Sequence, residues 1–132
     1  MILFDTDICI ALLRGNKMII EERKKYNGEI AISFISVAEL FYGAEKSSNK
    51  FKNFSLIEEF LLSVEIIESD YEVSRKFGEL KAHLEKRGKI IADADLFIAS
   101  IALTKCERLI TGNINHFKRI EELKIENWIR SQ

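Results

Sequence analysis

Short apolar runs of strand length, each followed by a helix-forming segment, recur along the chain and constrain it to a sheet wrapped by helices. Residues 1–4, 30–34, 64–67, 108–111 and 124–128 are the strand segments; each is short, apolar and bounded by polar or turn-forming residues. Between the first two, Ile8, Ile10, Ala11, Leu12 and Leu13 read as a buried helix, and residues 17–26 as a polar one. Ser36 and Glu39 have the spacing of a capping box, which starts a helix running to about Ser47. Residues 46–53 read as a polar, basic connection and residues 54–62 as a further helix. Asp70 caps a long amphipathic helix whose Val73, Phe77, Leu80 and Leu84 form one stripe, with Gly88 as its stop. Residues 93–104 are apolar nearly all round after the first turn, the mark of a central, buried helix. Strands alternating with helices predict an α/β fold, a mainly parallel sheet covered on both faces.

Composition narrows the function classes. A chain of 132 residues with 47% hydrophobic residues and no internal repeat is expected to form one domain, residues 1–132, and not a disordered or fibrous chain. No uncharged apolar run approaches the ~20 residues that span a bilayer, and the N-terminal MILFDTDICI has acids where a signal peptide needs a basic flank. A cytoplasmic protein without a membrane partner is expected. Cys9 and Cys106 are far apart and in apolar segments, so they read as buried thiols and not as a zinc or disulfide pair. With 20 basic against 21 acidic residues, bulk charge gives no attraction to phosphates, and a nucleic-acid partner would require a local basic patch or a bound cation.

The acids carry the chemistry. In open α/β sheets ligands sit beyond the carboxyl ends of the strands, and Asp5 follows the first strand, Glu39 lies in the helix after the second, and Asp93 and Asp95 open the buried helix before the fourth. Each alone is explained as a cap or a favourable helix-dipole partner. Together on one edge they would repel one another unless a cation sat between them, and all-oxygen ligands suit Mg²⁺ or Mn²⁺. Such ions most often serve phosphodiester hydrolysis. They also correct the charge: the formal -1 becomes about +1 with one divalent ion and about +3 with two.

Asp5-Thr6-Asp7 after an apolar strand, the run from Ile35 to Ala44 (ISVAELFYGA), the run from Ala92 to Ala99 (ADADLFIA), and Thr111-Gly112-Asn113 with Phe117 resemble PIN-domain ribonucleases, in particular VapC-type toxins of toxin-antitoxin systems. The likeness covers nearly the whole chain in the family's order. It implies a three-layer α/β/α PIN-like domain with a central, mainly parallel sheet of four to five short strands. It also implies a Mg²⁺-dependent (or Mn²⁺-dependent) endoribonuclease that cuts single-stranded RNA regions such as tRNA or rRNA loops. By position, Asp5, Glu39 and Asp95 match the family's acidic core and Asp93 an additional acid, as metal ligands and water activators. Thr6 and Thr111 match hydroxyls that orient the cluster. Asn113 and Asn115 fall where relatives often carry another acid, and His116 stands where aspartate or glutamate is frequent, which leaves a second metal open. His116 is then an RNA contact or a plain surface residue. The resemblance further implies a homodimer, and a cognate antitoxin whose C-terminal segment lies in an apolar groove. Phe41, Tyr42, Phe51, Phe54, Phe60 and Leu61 are candidates for that groove, the alternative being ordinary core. Lys46, Lys50 and Lys52 are candidates for the edge of the RNA path, or are simply solvated.

Two other enzyme or signalling folds fit less well. A haloacid-dehalogenase-type phosphatase would use Asp5 as nucleophile and Asp7 as acid, but the chain is short for it, Glu39 would be idle and no lysine precedes the late acidic run suitably. A receiver-like domain needs an aspartate at the end of the third strand, where this chain has Ile67-Glu68-Ser69. A third reading is a PIN-like module that binds RNA or protein without cutting. Clustered, mutually repelling acids argue against it, since a scaffold gains nothing from them.

Overall fold

The computed structural model describes residues 1–129. In chain order the elements are β1 (Ile2–Phe4), α1 (Thr6–Leu13), α2 (Lys17–Lys25), β2 (Ile30–Ser33), α3 (Phe34–Lys46), α4 (Lys50–Leu61), β3 (Glu65–Ile67), α5 (Tyr71–Lys86), α6 (Asp93–Lys105), β4 (Leu109–Ile110), α7 (Ile114–Phe117) and β5 (Ile125–Glu126). The strands form one parallel sheet in the order β3-β2-β1-β4-β5. The strand order reverses at β1, which lies between β2 and β4, and because all strands run parallel the residues that leave them share one edge. Phe4 is in register with Ile32 on one side and Ile110 on the other, which places Asp5 beside Ser33 and Thr111.

Side-chain alternation along the strands divides the core into two layers. Ile2, Phe4, Ile32 and Ile110 face one side, where they pack with Ile8 and Cys9 of α1, Ile19 of α2, Leu40 of α3, Ile57 and Phe60 of α4, and Trp128. Leu3, Ala31 and Leu109 face the other, against Val73, Leu80 and Leu84 of α5 and the buried side of α6. The result is the expected three-layer α/β/α arrangement. The α6 helix is covered nearly all round, with Leu96, Ile98, Ala99, Ser100, Ile101 and Ala102 buried, because it lies between α5 and the sheet. Asp70 caps α5 as read from the sequence, its carboxylate accepting from the Val73 N–H at 2.8 Å. Gly88, at φ 66°, takes the left-handed turn after α5 that a side chain disfavours.

Three local readings are corrected. The cap of α3 is Ser33, whose hydroxyl accepts from the Ser36 N–H at 3.1 Å, so Ser36 and Glu39 are not a capping box. The helix starts earlier because Ser33, at the last strand position, supplies the required oxygen three residues before Ser36. Residues 50–53 belong to α4 and not to a connection, since the chain turns sharply after Ser47. The residue capping α6 is Ala92, without a side-chain bond, which frees both acids of its first turn from that role. Cys9 is fully buried and Cys106 half-buried, and burial pushes the Cys106 thiol up to about 11. Among the described residues no helix is long and apolar enough to cross a membrane.

Replacing Ser33 by Ala is expected to lower unfolding stability by about 1 kcal/mol, the usual value of a lost N-cap. Urea denaturation would read this as a lower midpoint at constant slope.

Candidate active site

At the carboxyl edge of the sheet, Asp5 caps α1 by accepting from the Thr6 N–H at 2.8 Å, while its other oxygen accepts from the Thr111 hydroxyl at 2.8 Å. The Thr111 oxygen in turn accepts from the Asn113 N–H at 2.9 Å. Asp5 is buried, and desolvation, reinforced by the charges of Asp7 and Asp95, raises its carboxyl to about 7 against the two stabilising hydrogen bonds. Asp7 is also raised, by burial first and further by Asp95. One Asp7 oxygen accepts from the Gly112 N–H at 2.9 Å. The other, Oδ1, is buried and has no hydrogen-bond partner.

A second set of groups fixes Glu39. Its carboxylate accepts from the Thr6 hydroxyl at 2.6 Å, and the Thr6 and Ser36 hydroxyl oxygens are 2.8 Å apart. Thr6 has one hydroxyl proton, which goes to Glu39, so Ser36 donates to Thr6. Glu39 therefore points from the second turn of α3 across to α1, positioned by two hydroxyls. On the far side, His116 Nδ1 lies 2.9 Å from the Asn113 side-chain nitrogen and 3.7 Å from Asp95 Oδ2.

The structure thus brings together Asp5, Asp7 and Asp95, with Thr6, Ser36, Glu39, Thr111, Asn113 and His116 around them. Asp93 is engaged elsewhere: its carboxylate is held by Lys81 of α5 at 3.0 Å. Two residues apart on a helix, Asp93 and Asp95 project to different sides. Asn115 is exposed. Sequence reasoning left Asp7 out of the cluster, although Asp5-Thr6-Asp7 was visible as a motif. Its place there follows from the close approach of β4's exit. A Cβ built on Gly112 would come within 2.9 Å of Asp7 Oδ2 and 2.8 Å of Ile129 Cδ1. Glycine lets the backbone N–H reach the carboxylate without displacing the ends of these two side chains. Gly112→Ala is accordingly expected to displace Asp7 and cut activity more than tenfold; a cleavage rate equal to the wild type would refute this role.

The cluster fits a divalent cation by charge and by donor chemistry. Carboxyls pushed upward by burial and mutual repulsion, and a buried carboxylate oxygen without a partner, are what a bound cation relieves. Among the described residues, no three acidic, histidine or cysteine side chains converge tightly enough to enclose an ion.

The other candidates are rearranged. Phe60 is buried in the core and Phe41 packs edge-to-face on Phe54 at 5.6 Å, joining α3 to α4. Leu61 is half-buried against the same core, and Tyr42 and Phe51 are exposed. None of the six lines the apolar groove found between α1, α3 and α4. That groove, about 250 Å³, has Ile10, Leu13, Leu40, Gly43, Leu56 and Ile57 along it and Glu39 and Arg14 at its mouth. Helix periodicity turns Phe41 and Phe54 toward each other and leaves the smaller side chains to form the channel. Lys50 pairs with Glu45 at 2.8 Å, Lys46 sits over the Tyr42 ring, and Lys52 is exposed.

Fold and site together define a parallel α/β/α domain with acids gathered at the carboxyl edge of its sheet, and the sequence matches the model of the PIN domain family over residues 2–123. A relative from Haemophilus influenzae, Ribonuclease VapC2, is 37% identical, the match covering 96% of this chain and 97% of that protein. The tRNA(fMet)-specific endonuclease VapC of Shigella flexneri is 31% identical, with 96% of each chain covered. Among solved structures, VapBC2 from Rickettsia felis, bound to a DNA fragment from its promoter, superimposes with a TM-score of 0.91 at 39% identity, over 97% of this chain and 99% of that one. The chain belongs to the PIN-domain family, in its VapC branch.

Proposed function

We propose that this protein is a Mg²⁺- or Mn²⁺-dependent endoribonuclease toxin that cuts single-stranded regions of RNA and is silenced by a cognate antitoxin. The observation that carries this reading is the grouping of Asp5, Asp7 and Asp95 at the sheet edge, with Asp5 raised to about 7 and one Asp7 oxygen unpartnered. Asp5, Asp7 and Asp95 would hold the cation, with Glu39 beside them. When bound, the cation polarises a phosphoryl oxygen and lowers the pKa of water toward neutrality. The chain's own groups do the positioning. Thr111 fixes one oxygen of Asp5, the Gly112 N–H fixes Asp7, and Thr6 aims Glu39 at the same space. Glu39, exposed at the mouth, is placed to accept a proton from an attacking water.

The Shigella flexneri relative is named for tRNA(fMet), which supports a tRNA loop as the substrate class; such a substrate places the protein in the cytoplasm. The Rickettsia felis structure is a VapBC assembly, which supports an antitoxin partner, and the apolar groove beside Glu39 is the surface it would occupy. A homodimer is part of the same reading.

Purified protein incubated with total cellular RNA is expected to give discrete fragments with Mg²⁺ or Mn²⁺ and none with chelator or in Asp5→Asn. Intact RNA under every condition, together with no metal-dependent rise in the thermal midpoint, would favour the non-catalytic binding module instead.

A further inference from the structure

We propose that α1 carries, two turns beyond Asp7, a subsite for the RNA backbone in which Arg14 holds a phosphate flanking the one that is cut. This rests on the ribonuclease reading and adds a substrate contact to it.

Asp7, Ala11 and Arg14 follow one another at helical spacing, so they lie on one stripe. Seven residues of α-helix rise about 10 Å, a span that a single strand covers within its next few backbone links. A cavity of about 480 Å³ runs along this stripe, lined by Asp7, Ile10, Ala11, Arg14, Gly15 and Asn16. It is a shallow, solvent-open depression, the shape over which an extended strand rather than an enclosed small molecule would lie. Its rim is low at Gly15, an exposed residue whose φ of 82° turns the chain and around whose missing Cβ nothing lies within 4 Å. Asn16 is committed to the next helix, accepting from the Ile19 N–H at 3.1 Å.

Arg14 is the informative residue. It is exposed, it lies on the walls of both this cavity and the apolar groove, and among the described residues its guanidinium makes no hydrogen bond or ion pair. Asp7 lines the same cavity and Glu39 the neighbouring groove, yet Arg14 is bonded to neither. An acidic site on a chain of net charge -1 repels a polyanion. A guanidinium about 10 Å along the helix from Asp7, without a partner among the described residues, adds positive charge on the path of the strand, and its planar fork matches two phosphate oxygens. Continuity with Asp7 favours an RNA strand over a protein segment as the occupant.

The test is binding of a short, 5′-fluorescein single-stranded RNA of mixed sequence to the Asp5→Asn protein, by anisotropy across a salt series, with and without Arg14→Ala or Arg14→Lys. Arg14→Ala is expected to weaken binding about tenfold at low salt and to flatten the slope of log K against log salt by about 0.7. Arg14→Lys should recover part of both, since it keeps the charge and loses the fork. In the active protein, Arg14→Ala should raise KM and leave kcat unchanged. Equal affinity and slope with and without Arg14 would overturn the subsite and leave the ribonuclease reading intact. Loss of antitoxin affinity without any change toward RNA would assign Arg14 to the protein partner and overturn it as well. Absence of RNA binding by Asp5→Asn at every salt concentration would overturn the subsite, while metal-dependent cleavage by the wild type decides the ribonuclease reading separately.

Discussion

Asp5→Asn is expected to lower RNA cleavage by on the order of 10³-fold or more while making the metal-free protein more stable at neutral pH. The two effects have one cause. Asp5 is buried next to Asp7 and Asp95, and its carboxyl is raised from 3.8 to about 7. A carboxyl with a raised folded-state pKa keeps a proton that the unfolded chain gives up. Native protein therefore binds more protons than unfolded protein between these values, and wild-type stability falls as pH rises from about 4 to about 7. The ceiling on this loss is about 4 kcal/mol, reduced by whatever Asn fails to reproduce of the bonds to Thr6 and Thr111. Differential scanning calorimetry in chelator should show Asp5→Asn melting above the wild type at pH 8, with the gap closing toward pH 4. Mn²⁺ should then raise the wild-type midpoint, by about 2.7 kcal/mol of stability at a hundred times its Kd, and leave the variant unmoved. Equal metal stabilisation of both proteins would remove Asp5 from the cation site.

Phe4→Ala should have the largest effect on stability alone. Phe4 is fully buried in the central strand, edge-to-face on Trp128 at 5.4 Å, and it immediately precedes Asp5. Truncation removes a large apolar side chain and leaves a cavity, which costs about 3–5 kcal/mol, or roughly 10–20 °C in Tm for a chain of this size. Leu62→Ala is the control. That side chain is 89% exposed, and its loss should stay within about 0.5 kcal/mol. If Phe4→Ala melted within a few degrees of the wild type, the two-layer core around β1 would be wrong.

The apolar run of residues 1–4 that supplies the central strand was readable in the sequence, as were the long stripe of α5 and the all-round apolarity of α6; which of Ile2, Leu3 and Phe4 faces which layer was not. These follow from local periodicity, which burial only has to satisfy. Boundaries were less legible. Ser36 and Glu39 have the spacing of a cap, but Ser33 was also available, and the parallel pairing of β2 with β1 and β3 fixes the strand's end there. Spacing alone does not distinguish two hydroxyls three residues apart.

For the site, the sequence by itself determined which acids follow strands or open helices, because chain direction in a parallel sheet delivers Asp5, Glu39 and the start of α6 to one edge. Tertiary structure decided which of them meet. Asp7 enters the cluster because Gly112 brings a backbone N–H against it, a contact between residues far apart in the chain. Asp93 leaves it because Lys81 of α5 lies closer on its side of the helix. The groove, too, was a matter of packing. Phe41 and Phe54 had the composition for it, but large rings gain most by meeting each other, and the channel formed where Gly43 and smaller side chains left room. Periodicity is a property of neighbours in sequence, whereas charge clusters and cavities depend on which surfaces the folded chain opposes.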